Sequence, residues 1–538
     1  MQPVNYSRRT VLIGAAALAG ILSFAAISGS ANAQDEDTLR VVMQADVRIV
    51  DPIWTTSYIV RDHGYMIYDT LFAMDANGEI QPQMVDRYTV SEDKLTYTFT
   101  LRGGLLWHDN QPVTTADIIP SIKRWAARDA LGQTVMTFVT SIEAKDDLTF
   151  EIKLKEPTGL LIFALGKPSS NVPFMMPKRI AETDPNTQIS EFIGSGPFVF
   201  MSDEWRPGDK AVYTKFEGYK PRSEAPSGLT GGKVAKVSRV EWRVIADQQQ
   251  AVNALLNGEI DIIQQPGADL FPLLKDDPSI KIVDWNPYGY QFNLRFNQAV
   301  KPFDNPKIRQ AALYALNQED FLQAAIGNPE YYTVCKAMFV CGTQLETIAG
   351  MEDKLESNFA KSKQLLADAG YDGEPVVLLH STDLPALTNI APVAKSLLER
   401  GGFVVDMQSM DWQTVLSRRV RKEPPSQGGW NAMATYWSSA DVLNPVMGAF
   451  FNASGDKAAF GWPNDPEMEE LRRRFVRADA LEEQKGIAEA VQLREAESPT
   501  HIVLGQFNLP GATRSNVSGW IPAAAPVFWN IEKGNGGE

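Results

Sequence analysis

The sequence predicts an α/β chain of more than one domain, on three observations. Val237–Ile245, a helix through Asn257, and Ile260–Ile263 form a strand–helix–strand unit, which implies a parallel sheet. Val376–Leu379, Ile390–Arg400 and Phe403–Met407 form a second such unit well downstream. A strand-rich stretch precedes both. The 538 residues suffice for two or three sizeable cores. With 44% hydrophobic and 22% charged residues, the composition is that of a soluble globular protein.

The elements follow in order. Thr38–Ala45 opens as a strand that Asp51-Pro52 ends, and Tyr58–Tyr68 reads as a helix. Leu95, Tyr97, Phe99 and Leu101 alternate with threonines, the period of a half-buried strand. Ser91–Lys94 is the turn before it, and Arg87–Val90 its expected partner. Thr114 with Asp117 signals a helix start, and Ile118, Ile119, Ile122 and Trp125 give that helix an apolar stripe, with Pro120 as a flaw. Leu148–Leu154 alternates again. Gly194-Ser195-Gly196-Pro197 is a sharp turn; without a following Lys-Ser/Thr it is no phosphate loop. Asp247 caps the helix of the first parallel unit and Gly258 stops it. Tyr290–Asn297 reads as a strand, Asn305-Pro306 starts a helix to about Leu316, Asn317 caps the next one, and Phe359–Ala369 is another.

Ser7-Arg8-Arg9, the apolar run Val11–Ile27 and Ala31-Asn32-Ala33 have the layout of an export signal removed after Ala33. An uncleaved anchor is the alternative, against which Gly14, Gly20 and Ser23 weigh. Ser-Arg-Arg-Thr-Val-Leu resembles a twin-arginine signal, and the Sec route stays open. In an oxidising compartment Cys335 and Cys341, the two cysteines of the chain, are expected to pair, rather than to hold a metal. A net charge of −15 argues against a nucleic-acid partner.

Enzyme readings find little support. His63, His108, His380 and His501 show no metal spacing, and no nucleophile elbow occurs. Ser91-x-x-Lys94 stands alone in a turn, and His108 suits turn packing. No catalytic residue, metal or cofactor is assigned. Trp430–Phe451, by contrast, mixes Trp430, Tyr436 and Trp437 with Ser438, Ser439, Asp441 and Asn444, without a clear period; aromatic walls with a few polar groups suit a small-molecule cleft.

As a string, Leu71-Phe72, Asn77-Gly78, Pro82, Ser91, Asp93, Tyr97, Phe99, Leu101-Arg102, Gly104, His108-Asp109, Pro112, Thr115-Ala116 and Asp117 resemble the signature of the family 5 extracellular solute-binding proteins, the dipeptide-, oligopeptide- and nickel-binding proteins of ABC importers. Residues 194–197, 254–263 and 303–322 resemble further family segments. The resemblance implies a two-lobe periplasmic-binding-protein fold (type II) with an extra α+β domain. By analogy the first lobe is 34–52, 194–288 and 508–538, the extra domain 53–193 and the second lobe 289–507. It also implies a periplasmic, monomeric protein that captures short peptides between its lobes and hands them to permease subunits in the inner membrane. In peptide-binding members an Asp after a Trp holds the ligand's α-ammonium. Asp441 after Trp437 is the candidate here, although the family's Asp position holds Ala440 and Asn444-Pro445 replaces Asp-Pro. A loop cap is the structural alternative for Asp441, and core packing for Trp437. A non-peptide solute (an opine, an oligosaccharide or a metal chelate) is the alternative ligand. Tyr436, Ser438, Trp412, Arg418, Tyr58 and Tyr290 complete the expected ligand-binding set; the Arg418–Arg421 run could equally be a solvated helix face.

Overall fold

The computed structural model describes residues 37–534 except Ser170 and Asp479, so the segment expected to be an export signal and the last four residues lie outside it. Two large sheets organise it. In the seven-stranded sheet the order is Ile280–Val283, Gly511–Arg514, Ile262–Ile263, Thr38–Val42, Arg239–Arg243, Lys210–Lys215 and Phe198–Phe200. Thr38–Val42 runs parallel to both neighbours, and the helix Gln248–Leu256 crosses over between them, its first turn capped by the Asp247 side chain. The six-stranded sheet runs Tyr332–Thr333, His501–Phe507, Tyr290–Phe296, Ala432–Ser438, Val376–Ser381 and Val405–Met410. Its second parallel unit is closed by the helix Ile390–Arg400.

A four-stranded antiparallel sheet, Val85–Val90, Thr96–Leu101, Thr149–Leu154 and Val139–Ala144, carries the alternating threonine strand. Phe99 and Phe150 stack across it in the core, while the threonines stay partly exposed. The helix Thr115–Arg128 has a reciprocal cap between Thr114 and Asp117, and tolerates Pro120 in its interior. His108 is packing chemistry. Its ring bonds the backbone of Gly194 and Gly196, and burial lowers its pKa to about 4. Both glycines sit against the backbone of Ile67, and a Cβ on Gly194 would lie 1.7 Å from the Ile67 carbonyl oxygen.

Trp430–Phe451 differs from its aperiodic reading. Ala432–Ser438 is a strand, buried along nearly its whole length. With both faces covered, no alternation is left to see. Cys335 and Cys341 form a disulfide. Their loop lies over the six-stranded sheet, where Gln291 Nε2 donates to the Ala337 carbonyl and Cys341 N–H to Gln506 Oε1. No helix among the described residues is long and apolar enough to cross a membrane.

Candidate ligand-binding site

The chain passes between the two large sheets twice, through residues 284–289 and 508–510. Asn508 Nδ2 donates to Asp284 Oδ2 at 3.2 Å, joining the crossings. Gly289, with φ +65°, makes the turn into the second sheet, and its carbonyl accepts the Ser439 N–H. That bond holds the turn Ser439–Asp441 beside the crossings.

Tyr58, the first residue of the helix Tyr58–Ile67, comes in from the extra region. Its hydroxyl donates to Asp441 Oδ2 at 2.7 Å and accepts the Ser438 N–H at 2.7 Å. Asp441 is buried. Burial and then the Asp441 charge push the Tyr58 phenol well above its ordinary pKa, so it stays a donor. On the facing sheet the Tyr290 and Tyr436 rings meet edge to face at 5.7 Å, and Gln265 Nε2 reaches the Tyr290 hydroxyl at 3.0 Å. Burial raises both phenols, Tyr290 to about 12. Behind Tyr58, Arg61 lies over its ring and pairs with Asp62, whose other oxygen faces Gln44 and Gln264 at 3.4 Å.

The structure thus gathers Tyr58, Tyr290, Tyr436, Ser438 and Asp441 at one junction. Trp437 leaves it on the opposite face of its strand, stacked on Phe450. Trp412 packs on the small core of Val377, Leu379, Val415 and Trp430. Arg418 spends its donors on Gln408 Oε1 and the carbonyls of Gly428 and Gly429, as a clasp on its own loop. Neither is brought to the junction. Asn444 accepts the N–H groups of Val446 and Met447, so it caps the turn where the family has an Asp. The Arg61–Asp62 pair escaped the sequence reading because the helix Tyr58–Ile67 is buried on every side and shows no stripe, and Gln265 because it stands in the loop after Ile262–Ile263, where no period marks it. No cluster of three or more metal-binding side chains occurs among the described residues.

Comparison with known proteins agrees with this architecture. The profile of the bacterial extracellular solute-binding proteins, family 5, matches residues 79–458. A probable peptide ABC transporter periplasmic-binding protein, y4tO of Sinorhizobium fredii, is 38% identical over 98% of this chain and 100% of its own. The glutathione-binding protein GsiB of Pectobacterium atrosepticum is 24% identical over 89% of this chain and 90% of its own. Among solved structures, DppA of Helicobacter pylori in complex with the peptide STSA superposes with TM-score 0.76 at 20% identity, covering 94% of this chain and 100% of that one. AgaA of A. tumefaciens R10 with agropinic acid superposes with TM-score 0.75 at 22% identity, covering 93% and 99%. The fold is the two-lobe, type II periplasmic-binding-protein fold. The chain belongs to the bacterial extracellular solute-binding proteins, family 5.

Proposed function

We propose that the protein is the solute-capturing component of an ABC importer, binding short peptides between its lobes and delivering them to inner-membrane permease subunits. The observation that carries this is the Tyr58–Asp441 hydrogen bond across the junction between the sheets. Asp441 takes the peptide's α-ammonium there, a charge pair inside a water-poor site. Capture and release need only hinge closure and opening, and no covalent step. Strand membership supports the lobes drawn from sequence. The strands of the seven-stranded sheet fall in 34–52, 194–288 and 508–538, and those of the six-stranded sheet in 289–507. Export with removal of the signal after Ala33, and a periplasmic monomer, complete the reading.

A second reading keeps the role and changes the ligand to a non-peptide solute such as an opine. Ala440 at the family's Asp position favours it, as does the likeness to a binding protein holding agropinic acid. A thermal-shift screen of the chain from Gln34 against di- to pentapeptides, opines, oligosaccharides and nickel chelates separates the two. A ligand at about a hundred times its Kd adds about 2.7 kcal/mol. Stabilisation by peptides supports the first reading, and stabilisation by opines alone replaces it with the second.

A further inference from the structure

The extra region, residues 53–193, is fastened to the seven-stranded sheet's side by buried polar bonds. Lys233 Nζ pairs with Asp69 at 2.8 Å, Arg124 with Asp51 at 2.7 Å, and the His108 ring bonds the backbone of Gly194 and Gly196. The same region meets the other half of the molecule at the Tyr58–Asp441 bond and again at the end of the helix Pro466–Arg477. There Thr158 Oγ1 donates to the Val476 carbonyl at 2.8 Å, and both residues are buried. The last four carbonyls of a helix have no donor within it. The Ala478 N–H serves those of Arg474 and Phe475, and the hydroxyl from the extra region serves that of Val476. Its oxygen accepts the Leu160 N–H at 3.2 Å, which leaves the hydroxyl hydrogen for Val476. The loop is held in turn by the Lys155 N–H on the Phe138 carbonyl at 2.8 Å.

Around this bond Arg477 pairs with Glu156 at 3.3 Å, and its guanidinium lies 5.8 Å from the Phe138 ring centroid. Phe138, Leu160 and Leu161 share one continuous core with Phe475, Val476 and Ala478. The apolar core and the buried hydroxyl bond carry the contact; the ion pair is half-exposed, so it adds little strength but makes the contact sensitive to salt. Parting the two halves returns the hydroxyl and the carbonyl to water and uncovers the apolar side chains. None of these groups belongs to the junction, so the contact draws on the protein alone and forms without a solute.

We propose that this contact is a latch. Thr158, with Glu156 and Phe138 beside it, clasps the end of the helix Pro466–Arg477 and holds the solute-free protein closed for part of the time, so that solute entry waits on its opening. The latch rests on the reading of the two sheets as lobes that hinge apart. It gives the capture cycle a closed state that exists before any solute arrives, and the population of that state sets how much of the protein can accept one.

The test is pulsed electron paramagnetic resonance on the chain from Gln34, refolded from denaturant to strip any retained solute. The chain's own cysteines are paired, so spin labels attach to introduced ones alone. One label pair, Lys155→Cys with Arg474→Cys, flanks the latch at exposed positions; a second, Glu217→Cys with Lys457→Cys, reports on the two lobes directly. Both pairs are expected to show a short and a long distance in the absence of solute. Thr158→Val keeps the shape and removes the hydroxyl, and is expected to lower the short-to-long ratio at the latch by about fivefold, the worth of one hydrogen bond. Glu156→Lys sets a cation against Arg477 without touching the core, and is expected to lower the ratio at low salt and to restore part of it at high salt. Should Thr158→Val not fold, Glu156→Lys decides alone. A single distance at the latch pair, short or long, or a ratio that neither variant moves, overturns the latch; two distances at the lobe pair then keep the hinge reading. A single distance at both pairs overturns the hinge reading, and the latch with it.

Discussion

At the scale of single residues, Tyr58 does two jobs with one hydroxyl. It donates to Asp441 and accepts from the Ser438 N–H. Tyr58→Phe leaves both groups short of a partner, and is expected to weaken ligand binding by about 1–3 kcal/mol in calorimetry with little change in far-UV circular dichroism. Acid sensitivity also belongs to named residues. Burial holds His63 and His501 down to about 3 and His108 to about 4, against an ordinary 6.5, so the folded state refuses protons that the unfolded chain takes. Their contribution is present above the ordinary value and is lost as pH falls from 6.5 toward 3 to 4. Glu495 opposes them. Burial raises it to about 7 from 4.5, so its contribution is full below 4.5 and lost as pH rises through 7. Three groups outweigh one, and Tm is expected to fall from pH 7 to pH 5; Glu495→Gln removes the opposing group and steepens the fall in a pH series of thermal melts. Asp441 could be named as a candidate from its place after Trp437. Gln265 could not, because it stands in a loop 25 residues before Tyr290 and only the fold brings its amide to that hydroxyl.

At the scale of elements, periodicity worked where one face meets water. Thr96–Leu101 and Thr149–Leu154 alternate in burial as they alternate in sequence. Caps worked too, since Thr114, Asp247, Asn305 and Asn317 all start helices with their side chains. Elements buried on all sides lost their signal, which is why the strand Ala432–Ser438 and the Arg61–Asp62 pair of the helix Tyr58–Ile67 were not read. The crossings between sheets are the elements most exposed to backbone substitution. A Cβ at Gly289 would lie 2.1 Å from Asn508 Oδ1 and 2.5 Å from the Phe507 carbonyl oxygen, at a left-handed φ. Gly289→Ala is therefore expected to cost about 1–3 kcal/mol in denaturant unfolding, where Gly103→Ala, with open space around it, costs little.

At the scale of the whole molecule, two sheets are joined by two short crossings, and these are expected to act as a hinge. Tyr58 bonding to Asp441 and Gln265 to Tyr290 hold the halves together. The lobes are expected to close on ligand, so the radius of gyration from small-angle scattering should fall at saturation in the wild type. The family signature made the two-lobe plan readable from the sequence, because its matches are spread over the chain; which side chains converge at the junction needed the fold. Calorimetry of the best ligand from the screen, against wild type and Asp441→Asn, tests the central claim most directly. If Asp441 anchors the ligand between the lobes, the substitution weakens binding by about 2–5 kcal/mol, the cost of breaking a buried charge pair. An affinity unchanged within about twofold, near 0.4 kcal/mol, would contradict it.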